Sequence, residues 1–298
     1  MIDKHEQTGR VIKGVGGNYW LRTAEGDEGM AAARGIFRNQ NLKLLPGDMV
    51  EYAETGEEDA PYVINKVKPR KNELHRPPLA NLDGLILVFA LRDPDPDLLL
   101  LDKLLCLGVK IDVPVILVFS KEDLADGSAD SPADTYRGIV SKVLLSDGTN
   151  EDVLDELRAF TEDKLVTVAG PSGAGKSTLI NRLFGMERME VGEVSVRTGR
   201  GRQTTRHTEL FWHGSGYLAD SPGFSSLTVE QMEIGVEDLL GAYHDLRADR
   251  GECRFNSCRH LVEPGCIVRE LVASNEADSG RYERYKRLRE ELDALTPW

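Results

Sequence analysis

Long hydrophobic runs are missing from this chain: the longest, LILVFAL from Leu85 and VPVILVF from Val113, stop at seven residues, far short of the roughly 20 that cross a bilayer. Runs of that length fit buried strands. The opening MIDKHEQTGR has no apolar stretch of the kind found in a secretory leader, so a cytoplasmic protein with no membrane partner is the expectation. Cysteine is scarce as well. Three of the four fall between positions 253 and 266 with a histidine among them, a grouping that points to metal in a reducing compartment. Cys106 stands alone on the apolar helical pattern LLDKLLCLGV, as a core residue would. Positive charge is in deficit: 37 Lys and Arg against 50 Asp and Glu leave a net charge of −13. That argues against a chain-wide nucleic-acid surface, because phosphate backbones demand positive charge. The deficit is uneven, since residues 1–79 carry 12 basic and 12 acidic side chains. Their cluster Lys66, Lys68, Arg70, Lys71 and Arg76 reads either as a local basic face or as a solvated strand edge.

With 298 residues the chain has room for about two or three domains. Residues 9–75 break into about five short strand patterns, GRVIKGV, NYWLRTA, MAAARGIF, MVEYAE and YVINKVK, separated by turn signals. They suit a small barrel of the oligonucleotide-binding (OB) type, which serves either as an RNA-binding module or as a plain scaffold. HRPPLAN marks a break, because paired prolines do not continue a ladder or a helix. Beyond it, LDGLILVFAL, VPVILVFS and DKLVTVAG are continuous apolar runs, the first two separated by the helical LLLLDKLLCLGVK, with SGYLADSPG as a weaker fourth strand. This is the pattern of a mostly parallel sheet with helices on both faces. From about 229 helical patterns take over, with CRFNSCRHLVEPGC as an irregular insert. The expected division is a barrel over 1–79, an α/β domain over 80–228 and a helical metal-bearing domain over 229–298.

The most specific motif is GPSGAGKST, Gly170, Pro171, Ser172, Gly173, Ala174, Gly175, Lys176, Ser177 and Thr178, lying between an apolar strand and the helical TLINRLF. Glycines at this spacing let backbone N–H groups curl around a β-phosphate, Lys176 reaches the β- and γ-oxygens, and Ser177 ligates Mg²⁺. Some forty residues on, Asp220 ends a strand ahead of Ser221, Pro222 and Gly223; the Asp suits Mg²⁺ and the Gly223 N–H a γ-phosphate. Between them GRGRQTTRHTEL offers Thr204 and Thr205 for the metal and γ-phosphate, of which Thr205 is favoured. Arg200, Arg202 and Arg206 of the same loop read alternatively as RNA-phosphate contacts. Earlier in the chain, at another strand end, stand Ser120, Lys121, Glu122 and Asp123. Asp123 can accept from guanine N1–H and N2–H₂, which adenine does not offer, and the Lys121 stem can lie over the base. Ser146 and Asp147 follow where a supporting loop belongs. A base reader ahead of the phosphate loop means a circularly permuted order. Cys253, Cys258, His260 and Cys266 give C-x₄-C-x-H-x₅-C, three thiolates and an imidazole suited to one structural, tetrahedral Zn²⁺.

On GPSGAGKST, GRGRQTTRH, DSPGF and CRFNSCRHLVEPGC the chain resembles the circularly permuted ribosome-assembly GTPases of the RsgA family over essentially its whole length. The resemblance implies GTP hydrolysis stimulated by the small ribosomal subunit, a role in late subunit maturation, contacts with that subunit and its rRNA, and Mg²⁺ with GTP. A monomer is expected. It also implies that 120–123 contact guanine and 170–178 the phosphates. Ser120 replaces the Asn whose amide braces the base loop, and Asp147 replaces a small residue. Ser221 stands for Thr, and Phe224 stands where many GTPases carry a water-orienting Gln. A phenyl ring does not polarise water, so Gln203, in the loop where the resemblance suggests a His, is the expected water-orienting residue, with His207 as its rival. Two alternatives remain open on the residues alone: an ATP-using P-loop NTPase, and an rRNA-binding module with a non-catalytic nucleotide site.

Overall fold

The computed structural model describes residues 7–33, 42–125, 131–185, 208–220, 224, 227–246 and 251–295. In chain order the strands are β1 (Gln7–Val15), β2 (Asn18–Thr23), β3 (Glu28–Ala33), β4 (Met49–Glu54), β5 (Tyr62–Val67), β6 (Glu73–His75), β7 (Pro78–Ala80), β8 (Gly84–Ala90), β9 (Val115–Ser120), β10 (Lys142–Ser146), β11 (Leu165–Ala169), β12 (Glu209–His213) and β13 (Gly216–Asp220). The helices are α1 (Leu98–Lys110), α2 (Pro132–Tyr136), α3 (Glu151–Thr161), α4 (Lys176–Phe184), α5 (Val236–Ala242), α6 (Ile267–Ala273) and α7 (Ser279–Leu295). Contacts divide the chain into two units, one from the described parts of 1–85, 155–168 and 193–224, the other from those of 86–154, 169–192 and 225–298.

In the first unit β1 to β5 form the expected five-stranded barrel, in the order β1-β2-β3-β5-β4 with β4 returning to β1. Alternation along each strand sends Val11, Leu21, Ala31, Val50, Tyr52 and Ile64 inward to one core. Gly47 precedes β4 at φ +96°, and a Cβ there would lie 1.9 Å from the Ala80 carbonyl oxygen, so only glycine fits the turn. The basic cluster of 66–76 is partly paired. Buried Asp48 takes the Arg70 guanidinium at 2.7 and 2.8 Å as well as the Leu45 N–H at 2.8 Å. Arg70 also bonds Glu73, Lys71 bonds Asp83, and Lys66 reaches Glu51 at 3.3 Å. Three of the five cations, Lys66, Arg70 and Lys71, thus pair with nearby carboxylates, while Lys68 bonds the Thr8 hydroxyl at 3.0 Å. The paired prolines do not exclude pairing: β6 and β7 make a hairpin in the register His75↔Pro78, where Pro77 lies in the turn and Pro78 opens a strand of a two-stranded sheet. In the same unit β11 pairs parallel with β13, and β12 pairs antiparallel with β13 and β1. The polar reading of 199–210 did not anticipate β12.

In the second unit the sheet order is β10-β9-β8, with β10 parallel to β9. Every residue of β8 is buried, as expected of a strand covered on both faces. Asp97 caps α1, its side chain accepting from Leu100 N–H at 3.0 Å. Cys106 is buried on the apolar side of that helix, and burial pushes its thiol up. α7 and the end of α5 meet α1 at a buried polar hub. Asp102 accepts from Tyr136 Oη at 2.7 Å, Tyr243 Oη at 2.7 Å, Arg281 NH1 at 2.8 Å and Arg284 Nε at 2.6 Å. Asp245 completes the hub with two bonds of 2.9 Å from Arg281. Burial pulls the Arg281 guanidinium down, and Asp102 and Asp245 outweigh it, so the net direction is up. Among the described residues no helix is long and apolar enough to cross a membrane.

Candidate functional site

The base-side loops start as neighbours because the strands that deliver them are in register. β9 and β10 run parallel with Ser120 opposite Ser146, so both strands release their chains at the same level of the sheet edge. Ligands of α/β folds gather at this carboxyl end. After Ser120 the backbone turns sharply: Lys121 adopts φ +57°, and Glu122–Leu124 form one 3₁₀ turn that leaves Asp123 exposed. The Lys121 ammonium donates to the Asp93 carbonyl, which holds its stem in place.

The phosphate loop follows β11. Gly170 lies at φ +146° with a would-be Cβ 2.0 Å from the Val88 carbonyl oxygen, so both the angle and the space require glycine. Gly175, at φ +81°, turns the chain into α4. Lys176 and Ser177 therefore lie in the first helical turn, where backbone N–H groups and the helix dipole favour an anion. The Lys176 ammonium donates to the Pro171 carbonyl at 2.6 Å across the loop, and burial lowers its pKa. A phosphate oxygen would offer it a full negative charge in place of a carbonyl.

Ser120 Oγ donates to the Ala174 carbonyl at 2.7 Å, so the brace between base loop and phosphate loop is present. A hydroxyl supplies it where the sequence comparison with Asn suggested it was lost. The 146–150 loop is tightly tied. Gly148 N–H donates to Ser146 Oγ at 3.0 Å, Asp147 N–H to Asn150 Oδ1 at 2.8 Å, and the Thr149 and Asn150 N–H groups to Asp147 Oδ1 at 2.6 and 3.1 Å. Those bonds, the Thr149 amide first, hold the Asp147 carboxyl below its usual range. Asp147 thus acts as the loop's internal cap, a role the small residue it replaces would not fill.

The structure therefore brings 120–123, 146–147 and 170–178 together. Asp220 ends β13, where its backbone pairs with Glu209. Gln203, Thr204, Thr205, His207, Arg200, Arg202, Arg206, Ser221, Pro222 and Gly223 lie outside the described residues. Phe224 is buried, as suits a phenyl ring and not a water-orienting group.

Cys253, Cys258, His260 and Cys266 place one ligand atom each within 4.8 Å of one another. His260 Nδ1 lies 3.5 Å from Cys253 Sγ and 3.4 Å from Cys266 Sγ. Bond lengths of about 2.3 Å to sulfur and 2.0–2.1 Å to nitrogen in a tetrahedron require about 3.6 Å between them, so the cluster fits a zinc ion. Without a metal, burial and then the neighbouring thiols push Cys258 up to about 12, a crowding that a divalent cation would relieve. Glu263 shapes this loop by accepting from the Arg259, Leu261 and Val262 N–H groups at 3.1, 2.9 and 3.1 Å. The Tyr282 hydroxyl donates to the His260 carbonyl at 2.8 Å and ties the loop to α7.

Residues 67–230 match the RsgA GTPase family, and residues 8–62 match the RsgA N-terminal domain. A protein of Carboxydothermus hydrogenoformans named small ribosomal subunit biogenesis GTPase RsgA is 40% identical over 285 residues, which cover 95% of this chain and 97% of that protein. The crystal structure of YjeQ from Thermotoga maritima superposes with a TM-score of 0.76 at 31% identity, covering 96% of this chain and 98% of that one. YloQ, described as a circularly permuted GTPase, gives 0.77 at 30% identity, with 100% and 99% covered.

Proposed function

The chain belongs to the RsgA GTPase family, and from that premise we propose that it binds the small ribosomal subunit and its rRNA and hydrolyses GTP to GDP and phosphate during late subunit maturation. The observation that carries the nucleotide reading is the Ser120 hydrogen bond to Ala174, which joins a strand-end Lys-x-Asp loop to a glycine-rich phosphate loop across 54 residues of chain.

In this reading Asp123 selects guanine by accepting from N1–H and N2–H₂, and Lys121 covers the base. Lys176 neutralises the β- and γ-phosphates, while the loop amides of 170–175 and the first turn of α4 hold the remaining oxygens. Ser177, Thr205 and Asp220 would supply the hard oxygen donors that suit Mg²⁺, an ion that would offset the negative charge of the phosphates. Gln203, or alternatively His207, orients the attacking water, because Phe224 has no group to do so. The Gly223 N–H senses the γ-phosphate. Cys253, Cys258, His260 and Cys266 would hold one Zn²⁺ in a structural role. We read the chain as three domains, an RNA-binding barrel over 1–79, the permuted GTPase over 80–228 and the helical zinc domain over 229–298, acting as a cytoplasmic monomer.

The deciding experiment is phosphate release from GTP with and without small ribosomal subunits, run beside ATP. Strong stimulation by subunits with GTP alone is the expected outcome. Equal use of ATP would restore the adenine-nucleotide alternative, and no release in the presence of subunits would leave an rRNA-binding module.

A further inference from the structure

Resting on the guanine-site reading above, we propose that Arg182 is a positioning residue for base recognition, holding the 146–150 loop to the helix that leaves the phosphate loop. Its guanidinium, in the last turn of α4, donates to the Gly148 carbonyl and, at 3.3 Å, to the Thr149 carbonyl, and it pairs with Glu151 at 3.1 Å. The loop's own bonds use its N–H groups: those of Asp147, Gly148, Thr149 and Asn150 all go to side chains within the loop. Its shape is thereby set, and its location is left to what grips the carbonyls. Arg182 grips two consecutive ones with a planar fork, a geometry that a lysine ammonium does not reproduce.

The helix makes this grip a ruler. α4 begins at Lys176, on the phosphate loop, and Arg182 stands six residues along the same rod, about 9 Å further at 1.5 Å per residue. One end of α4 therefore grips phosphate and the other fixes the loop beside the base reader, whose strand already aligns Ser146 with Ser120. The distance between phosphate grip and base-side loop is set by a helix, and base affinity depends on Arg182 while phosphate affinity does not. Nothing in the sequence marks this arginine, since it lies beyond the phosphate motif and reads as an ordinary exposed helix cation.

The test compares wild type, Arg182→Ala, Arg182→Lys and Glu151→Ala for equilibrium binding of fluorescent GDP and fluorescent ADP, with melting temperatures followed alongside. Arg182→Ala should weaken GDP roughly tenfold, the loss of hydrogen bonds from a charged donor. ADP, held by the phosphate loop, should change by less than about twofold, so the preference for guanine falls by nearly the full tenfold. Arg182→Lys, keeping one donor, should fall between. Glu151→Ala, which removes the exposed ion pair and keeps both carbonyl bonds of Arg182, should stay within about twofold. A parallel loss of GDP and ADP, or GDP binding unchanged in Arg182→Ala, overturns the proposal. The preference is measured on folded protein, so a shift in melting temperature does not decide it. Wild-type protein that binds GDP no better than ADP would instead overturn the guanine-site reading itself.

Discussion

Asp102→Ala removes the buried carboxylate on which α1 and α7 meet, and its cost can be worked out from the charges around it. The hub holds two carboxylates, Asp102 and Asp245, against two guanidiniums, Arg281 and Arg284. The side chains of Asp102 and Arg281 are fully buried, and Arg284 is 16% exposed. Breaking a buried pair from one side typically costs about 3–5 kcal/mol, because a charge is left uncompensated. Here Arg281 keeps its two bonds to Asp245 and one of 2.8 Å to the Ala242 carbonyl, and Arg284 has some access to water. The lower end, about 3 kcal/mol, is therefore expected, a large fraction of the 5–15 kcal/mol that ordinarily holds a domain folded. Urea unfolding followed by far-UV circular dichroism measures it, with hydrogen exchange in α1 and α7 locating the loss. The quadruple variant Asp102→Leu, Asp245→Leu, Arg281→Met, Arg284→Leu should recover a good part of the stability, since it removes every charge of the hub together. A loss below about 1 kcal/mol in Asp102→Ala, or a quadruple variant no more stable than the single one, would refute the reasoning.

Ser120→Ala removes the brace to Ala174 and should weaken GDP and GTP about fivefold, the worth of one neutral hydrogen bond, in equilibrium nucleotide binding. Cys258→Ser or His260→Ala should lower the zinc content of purified protein from one ion per chain toward zero and destabilise the 251–266 loop, as metal analysis and proteolysis would show; unchanged zinc would remove the metal assignment. Lys176→Met should abolish phosphate binding without lowering the melting temperature of nucleotide-free protein at pH 7. Burial holds the folded pKa of Lys176 below the ordinary 10.5, so the unfolded chain binds its proton more tightly and stability rises with pH in the window ending near 10.5. That rise should be flattened in the variant, and an identical pH profile would count against a buried, charged Lys176.

Much of this architecture is legible in local sequence because local chemistry decides it. The apolar period of LLLLDKLLCLGVK behind Asp97 gives α1 over its whole length, and turn-punctuated alternation gives all five barrel strands. β10 escaped because KVLLS is only five residues long and mostly half-buried, so it lacks the continuous apolar signal of its neighbours. β12 escaped because ELFWH continues a polar, arginine-rich stretch, and its pairing with β13 is written mainly in the turn at Gly214. The hub at Asp102 was invisible for another reason. Its partners stand 34, 141, 179 and 182 residues away, and no local pattern records such distances. The same holds for the basic cluster of 66–76, whose acidic partners Asp48, Glu51 and Asp83 come from neighbouring turns and strands.

Chain order matters to such a site only through where strands end. The base loop precedes the phosphate loop by some fifty residues, yet Ser120, the last residue of β9, meets Ala174 of the loop that opens α4 at 2.7 Å. Permuting the connections leaves those ends where they were, and only the loops need to find one another again. This also explains how a serine can stand for an asparagine at position 120. The long amide is one way to span two loops; where the phosphate loop approaches closely enough that a Cβ on Gly175 would lie 3.6 Å from Ser120 Oγ, a hydroxyl on a one-carbon stem reaches the Ala174 carbonyl. Residue identity at this position is thus set by the gap to be bridged, and the gap is set by the backbone of two strand ends.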